Sequence, residues 1–175
     1  MSLKGKKIAV FLENIFEDTE FWYPYFRMKE EEAEVIVIAT EEKSYTGKNG
    51  TEAKADVAII NALPDEFDAL IIPGGYSPDR MRRSKEMVDF VRAMDKKKKV
   101  IAAICHAGWM LASAGIVNGR NLTSFFSIKD DMINAGAEWV DEDVVVDGNL
   151  VTSRYPDDLP VFCKTIIEKL RKSKS

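Results

Sequence analysis

The sequence predicts an α/β fold, a single-domain three-layer α/β/α sandwich around a mostly parallel sheet. Three observations predict it. Short apolar runs at Lys6–Leu12, Val35–Ala39, Ala69–Ile72 and Val100–Ile104 alternate with amphipathic segments of helical period. Val100–Gly115 has the pattern strand, sharp turn, helix. The 175 residues, 46% hydrophobic and 31% charged, are enough for one domain with a substantial core.

Lys6–Leu12 is the first buried strand, and Asn14–Asp18 turns the chain into an amphipathic helix that runs to Glu32. Phe21, Trp22, Tyr25, Phe26 and Met28 supply its apolar and aromatic side, and Pro24 is expected to kink it. Glu17 and Asp18 fall in its first turn, where carboxylates are favoured by the helix dipole. Spacing alone does not separate that role from a catalytic one for Glu17.

Val35–Ala39 is a second strand. Tyr45–Asp56, with Gly47 and Asn49-Gly50, forms turns and a short peripheral hairpin. Ala69–Ile72 is a third, fully buried strand that ends at Pro73-Gly74-Gly75. These glycines allow close backbone approach at a strand's carboxyl end, where open α/β sheets bind ligands; an ordinary turn has the same composition.

Ser84–Lys97 puts Met87, Val88, Val91 and Met94 on one helical face, with lysines at its end. Val100–Ile104 is a central strand, and Ala107–Ala114 is a helix closed by Gly115 in a left-handed cap. Ser127–Ala135 is a helix with Ser127 as N-cap, Asp130 in the capping-box position and Gly136 beyond its end. Val144–Val146 and Leu150–Thr152 flank Asp147-Gly148 as a hairpin, and Pro156 opens a last helix that ends near Lys172.

Charge and composition exclude several function classes. The net charge is −4 with both signs interspersed, so no nucleic-acid surface is expected. No apolar run reaches the roughly 18 residues of a membrane span and no signal peptide is apparent, which predicts a cytoplasmic protein. Two cysteines in different settings do not make a disulfide framework. A single histidine, His106, leaves too few ligands for the usual His/Cys metal cluster, so neither metal nor cofactor is expected. The absence of glutamine and the abundance of Lys and Glu fit a thermophile's composition. Met1–Leu3 are expected to be foreign to the native start.

Cys105 falls on the strand-to-helix corner with His106 next to it. At such a corner a nucleophile elbow holds its attacking atom above the sheet edge, under a helix N-terminus that favours a thiolate. Inert packing is the alternative for any buried cysteine. It describes Cys163, which lies within the apolar pattern of Val161, Phe162, Ile166 and Ile167.

Six stretches together resemble one family: FED at 16–18, YPY at 23–25, PGGYSPD at 73–79, AICHAG at 103–108, TSFFSIKDDMINAGAEWVDEDVVVDGN at 123–149 and TSRYPDDLP at 152–160. The chain is similar to the PfpI (intracellular protease I) family, in the superfamily of the parkinsonism-associated deglycase and the class I glutamine amidotransferases. The resemblance implies one PfpI-like domain over residues 1–175 with the flavodoxin-like, amidotransferase-like sandwich. It implies Cys105 as nucleophile, His106 beside it, and Glu17 as the carboxyl group that approaches the sulfur. The amides of Gly75 and His106 would form an oxyanion hole, with Gly74, Phe125 and Arg154 at the substrate pocket. Asp79 stands where relatives carry a glutamate that reaches a neighbouring chain's histidine. It would complete the site in a homo-oligomer built on dimers, up to a hexamer. Phe125 replaces a tyrosine of some relatives and so supplies no phenolic proton.

Three functions share this nucleophile. The first is cofactor-free chemistry on α-oxoaldehydes or their protein adducts, of the glyoxalase III or deglycase type, with Glu17 or His106 moving protons. The second is intracellular peptide hydrolysis through an acyl-enzyme. The third is a redox sensor or holdase whose working part is an oxidisable Cys105. Amidotransferases of this fold take their histidine from far downstream of the cysteine, and this chain has none there.

Overall fold

The computed structural model describes residues 2–173. In chain order the elements are β1 (Lys7–Phe11), α1 (Asp18–Glu30), β2 (Glu34–Ala39), β3 (Ser44–Thr46), β4 (Glu52–Lys54), β5 (Val57–Ala58), β6 (Ala69–Ile72), α2 (Ser77–Met81), α3 (Lys85–Lys96), β7 (Val100–Ile104), α4 (Gly108–Ala114), β8 (Asn121–Leu122), α5 (Lys129–Asn134), β9 (Glu138–Trp139), β10 (Val145–Asp147), β11 (Leu150–Ser153) and α6 (Leu159–Lys172).

The main sheet runs β10-β11-β7-β6-β1-β2-β5, and every pairing in it is parallel except the β10–β11 hairpin. Strand parity builds the three layers. Ile8 and Val10 of β1, Ala69 and Ile71 of β6, and Ala102 and Ile104 of β7 face one core with Phe21 and Met28 of α1 and Phe162 and Ile166 of α6. The intervening Ala9, Leu70, Ile101 and Ala103 face a second core with Met87, Val91 and Met94 of α3 and Met110 and Leu111 of α4. Strands covered on both faces must be apolar at every position, which is why ALII and VIAAI stand out in the sequence.

The central order β2-β1-β6-β7-β11 is the flavodoxin-like arrangement, and the chain reverses its direction of winding between β1 and β6. The loops after β1, β6 and β7 therefore emerge side by side. The 45–56 hairpin is present as β3 and β4, Ser84 caps α3 by accepting from Met87 N (3.2 Å), and Gly115 closes α4 at φ 70°.

Three expectations change. Helix α1 continues through Pro24 from Asp18 to Glu30, so Glu17 lies just outside it. The segment after Phe125 is a 3-10 turn at Phe126–Ile128 followed by a shorter α5, and Ser127 does not cap it. Leu3 is buried in the first core and its amide donates to Glu31 O (2.7 Å), so it packs as part of the domain; Met1 lies outside the described residues.

Candidate active site

Three loops converge on Cys105. The first two, following β1 and β6, are zipped together. Phe16 bridges Gly75, Glu17 N donates to Gly74 O (3.2 Å), and Tyr76 N donates to Ile15 O (2.9 Å). Gly75 lies at φ 74°, and a Cβ there would sit 2.6 Å from Ile15 O and 2.8 Å from the Phe16 carbonyl carbon. Only glycine permits this contact. The third loop is the corner itself. Cys105 leaves β7 with φ 62°, a left-handed conformation that costs a cysteine on the order of 1 kcal/mol, and opens the turn Cys105–Ala107 that leads into α4.

At this corner the backbone amides of Gly75 and His106 favour a charged sulfur. Burial works the other way and, with the charge of Glu20, pushes the thiol up. His106 Nδ1 lies 3.2 Å from Cys105 Sγ. Burial and the nearby Lys48 ammonium hold the imidazole below its usual value, so it is a neutral base near pH 7.

The carboxyl group beside the sulfur is Glu20, and the expectation for Glu17 is corrected. Glu20 projects from the first turn of α1, is fully buried, and accepts from Gly74 N through Oε2 (2.8 Å). Its Oε1 is buried without a hydrogen-bond partner, and the carboxyl group interacts with the Cys105 thiol. Burial pushes this carboxyl up to about 8, opposed by the Gly74 amide and reinforced by the charge of Glu17. Glu17 instead pairs with Lys48 (Oε2 to Nζ, 2.6 Å) and accepts from Thr19 Oγ1 (3.2 Å) at the pocket wall. The difference is one helical turn: residues 17 and 20 are both acidic and lie on the same side of the chain.

The pocket over Cys105 has a volume of about 430 Å³. Besides Cys105 and His106 it is lined by the charged Glu17, Glu20 and Lys48 and by Gly75, Tyr76, Phe125, Tyr155 and Pro156. Phe125 is among the residues that line it. Gly74 lies beneath it, where a Cβ would come within 2.7 Å of Cys105 Cβ and 2.6 Å of Glu20 Oε2. Arg154 does not line it. That guanidinium pairs with Asp158 (3.0 Å) and Asp141 (2.9 Å), and its neighbours Tyr155 and Pro156 face the pocket instead. Asp79 sits on α2 and pairs with Arg83 (2.6 Å). Among the described residues it has no bond to His106. Larger hollows, of about 800 and 620 Å³, lie elsewhere, and neither is lined by a cysteine or histidine.

Sequence reasoning missed Lys48, and the signal for it was weak: a lysine in a Gly-rich hairpin. Asp18 places it. The Asp18 carboxylate accepts from Asn49 N (2.9 Å), Thr51 N (3.0 Å) and Thr51 Oγ1 (2.5 Å), which fastens the 47–51 turn to the start of α1. Ser127, expected as a cap, has its Oγ 3.1 Å from His106 Nε2. Among the described residues no group of three His, Cys, Asp or Glu is arranged to hold a metal ion, and no helix is long and apolar enough to cross a membrane.

The model of the DJ-1/PfpI family matches residues 6–169. A protein named deglycase PfpI from Pyrococcus furiosus is 46% identical over 165 residues, 94% of this chain and 99% of that protein. A protein named putative cysteine protease YraA from Bacillus subtilis is 41% identical over 168 residues, 95% of this chain and 99% of the other. Among solved structures, a two-domain protein from Anabaena variabilis with DJ-1/ThiJ/PfpI-like and ferritin-like domains superimposes with a TM-score of 0.94 at 42% identity. The match covers 95% of this chain and 48% of that one.

Proposed function

Because the chain belongs to the DJ-1/PfpI family, we propose that it is a cysteine-nucleophile enzyme acting on α-oxoaldehydes or their adducts on protein amines and thiols. The observation that carries this reading is the size and chemistry of the Cys105 pocket. About 430 Å³ is near the lower end of small-ligand sites, and this one combines a thiol, an imidazole and a carboxyl that titrates near neutrality.

With methylglyoxal as substrate, His106 Nδ1 takes the Sγ proton and the sulfur adds to the aldehyde carbon. The Gly75 and His106 amides hold the oxygen that becomes negative, and the imidazolium returns a proton to give a hemithioacetal. The ionised form of Glu20 takes the C1 proton and delivers it to C2 while the hydroxyl proton on O1 passes to O2, which converts the adduct into a lactoyl thioester. Water then cleaves the thioester, releasing lactate and the free thiol. The sum is methylglyoxal plus water to lactic acid, with no external oxidant or reductant.

Peptide hydrolysis is the second reading, favoured by the likeness to a relative named a putative cysteine protease. One experiment ranks the two: purified protein assayed side by side on methylglyoxal and on a fluorogenic peptide panel, with Cys105→Ser as the control. Dicarbonyl turnover without peptide cleavage supports the proposal. Cys105-dependent peptide cleavage with no action on the dicarbonyl reverses it.

A further inference from the structure

The hollow of about 800 Å³ lies at the opposite edge of the sheet from Cys105. Val100, the first residue of β7, and Asn149, just before β11, line it, whereas Cys105 follows the last residue of β7. At about 3.3 Å per strand residue, the two ends of β7 are roughly 16 Å apart.

Its wall carries four cationic side chains from three segments. Lys98 comes from the turn after α3, Arg120 from the loop after α4, and Lys169 and Lys172 from the last turns of α6. Two carboxylates, Asp95 and Asp147, share the wall, and both are engaged. Asp95 Oδ1 accepts from Arg120 Nη1 (2.8 Å) and Asn149 Nδ2 (3.1 Å), and Asp147 Oδ2 accepts from Asn121 N (2.7 Å). The C-terminal ends of α3 and α6 add about half a negative charge each, so the positive charges still exceed the negative ones by roughly one. In a chain whose net charge is −4, this is a local reversal of sign.

Two of the cations are placed by the backbone. Arg120 Nη2 donates to Asp147 O (2.7 Å) and Asn149 Oδ1 (2.9 Å), which together with Asp95 fixes the guanidinium between α3 and the β10–β11 hairpin. Lys98 stands at φ 56°, directly beyond the C-cap Lys97, where helices usually place glycine. A lysine held in that conformation is strained, and such strain concentrates where a side chain is used.

We propose that this hollow binds a phosphate-chain anion, a linear triphosphate taken either alone or as the tail of a nucleotide. Its volume is in the range of small-ligand sites. The lysine ammonium groups act as point charges that accept phosphate oxygens in many orientations, beside a guanidinium whose orientation is already set. The site is separate from Cys105 and does not depend on its chemistry.

Isothermal titration of sodium tripolyphosphate into the full chain tests the proposal. Saturable binding is expected, with a Kd that rises with salt concentration. Lys98→Gly removes a charge and suits the left-handed backbone, and Lys172→Gln changes an exposed position, so both variants should fold as the wild type does. Each should weaken binding about fivefold, the effect of one solvent-facing charge pair, and the two together about twentyfold. Competition with ATP separates the two sources: displacement at lower concentration than tripolyphosphate itself requires assigns a nucleotide, and equal displacement assigns the free chain. Cys105→Ser should bind as tightly as the wild type. Absence of saturable binding, a Kd unchanged in both lysine variants, or binding lost in Cys105→Ser would overturn the inference.

Discussion

The Gly74 amide donates to Glu20 Oε2 across 2.8 Å, a bond that fixes a carboxyl from α1 against the loop after β6 and beside the Cys105 thiol. The sign of its pH dependence follows from burial. Glu20 is raised from 4.5 to about 8, so the folded state keeps a proton that the unfolded chain releases. Stability from this group is therefore fully present below about pH 4.5 and is lost progressively as pH rises towards 8. Thermal melts from pH 5 to 8 should show the wild type losing ground to Glu20→Gln, by an amount on the order of a few kcal/mol at the upper end. The amide keeps an acceptor for Gly74 but cannot carry the C1 proton, so kcat should fall about a hundredfold or more. Parallel melting curves would contradict the assignment.

The two thiols should differ in reactivity. Cys105 opens onto the pocket, whereas Cys163 is sealed in the first core away from any reagent. Iodoacetamide at neutral pH should modify Cys105 first and abolish turnover in step. Peptide mapping that found Cys163 modified at the same rate would refute this.

The two loop glycines should fail in different ways. Gly75→Ala meets backbone at a positive φ and should destabilise the fold by about 1–3 kcal/mol or more, read in urea unfolding. Gly74→Ala meets the Glu20 carboxyl and Cys105 Cβ, and should lower kcat more than it lowers stability. Equal stability losses at both positions would count against this geometry.

Asp18→Ala removes a buried carboxylate that accepts three hydrogen bonds from the Lys48 turn. With about 1.5–3 kcal/mol for a bond to a charged group and incomplete additivity, a loss on the order of 2–4 kcal/mol is expected, with a rise in KM as Lys48 is released. An unchanged KM would separate Lys48 from substrate binding.

Asp79 pairs with Arg83 within the chain, and its expected role is to reach His106 of a neighbouring subunit. Asp79→Ala, dissociated and reassembled with Cys105→Ser, should then exceed the average of the two parents, because some mixed interfaces pair an intact Cys105 with an intact Asp79. No gain would leave Asp79 a structural residue.

Much of this fold was legible because buried parallel strands must be apolar throughout and helix ends use few residue types, as Ser84 and Gly115 do. The nucleophile was legible for the same local reason: a cysteine between VIAAI and a short helix has one place to go. Glu20 was not, because its role depends on burial. The clue was present, since positions 20, 21, 24 and 28 share one face of α1 and a glutamate at 20 sits on that buried stripe. Ser127 and Arg154 were misplaced for a related reason. A serine before a helix resembles a cap until the turn carries it to a histidine 21 positions earlier, and an arginine beside a pocket motif is captured by Asp158 four residues on.

The most direct test of the account is mass spectrometry of the protein quenched during turnover of methylglyoxal. The account predicts an adduct with the mass of one methylglyoxal on the Cys105 peptide, absent from Cys105→Ser, with lactate accumulating only in the wild type. Lactate formation by Cys105→Ser at the wild-type rate, or adducts confined to lysines, would contradict it.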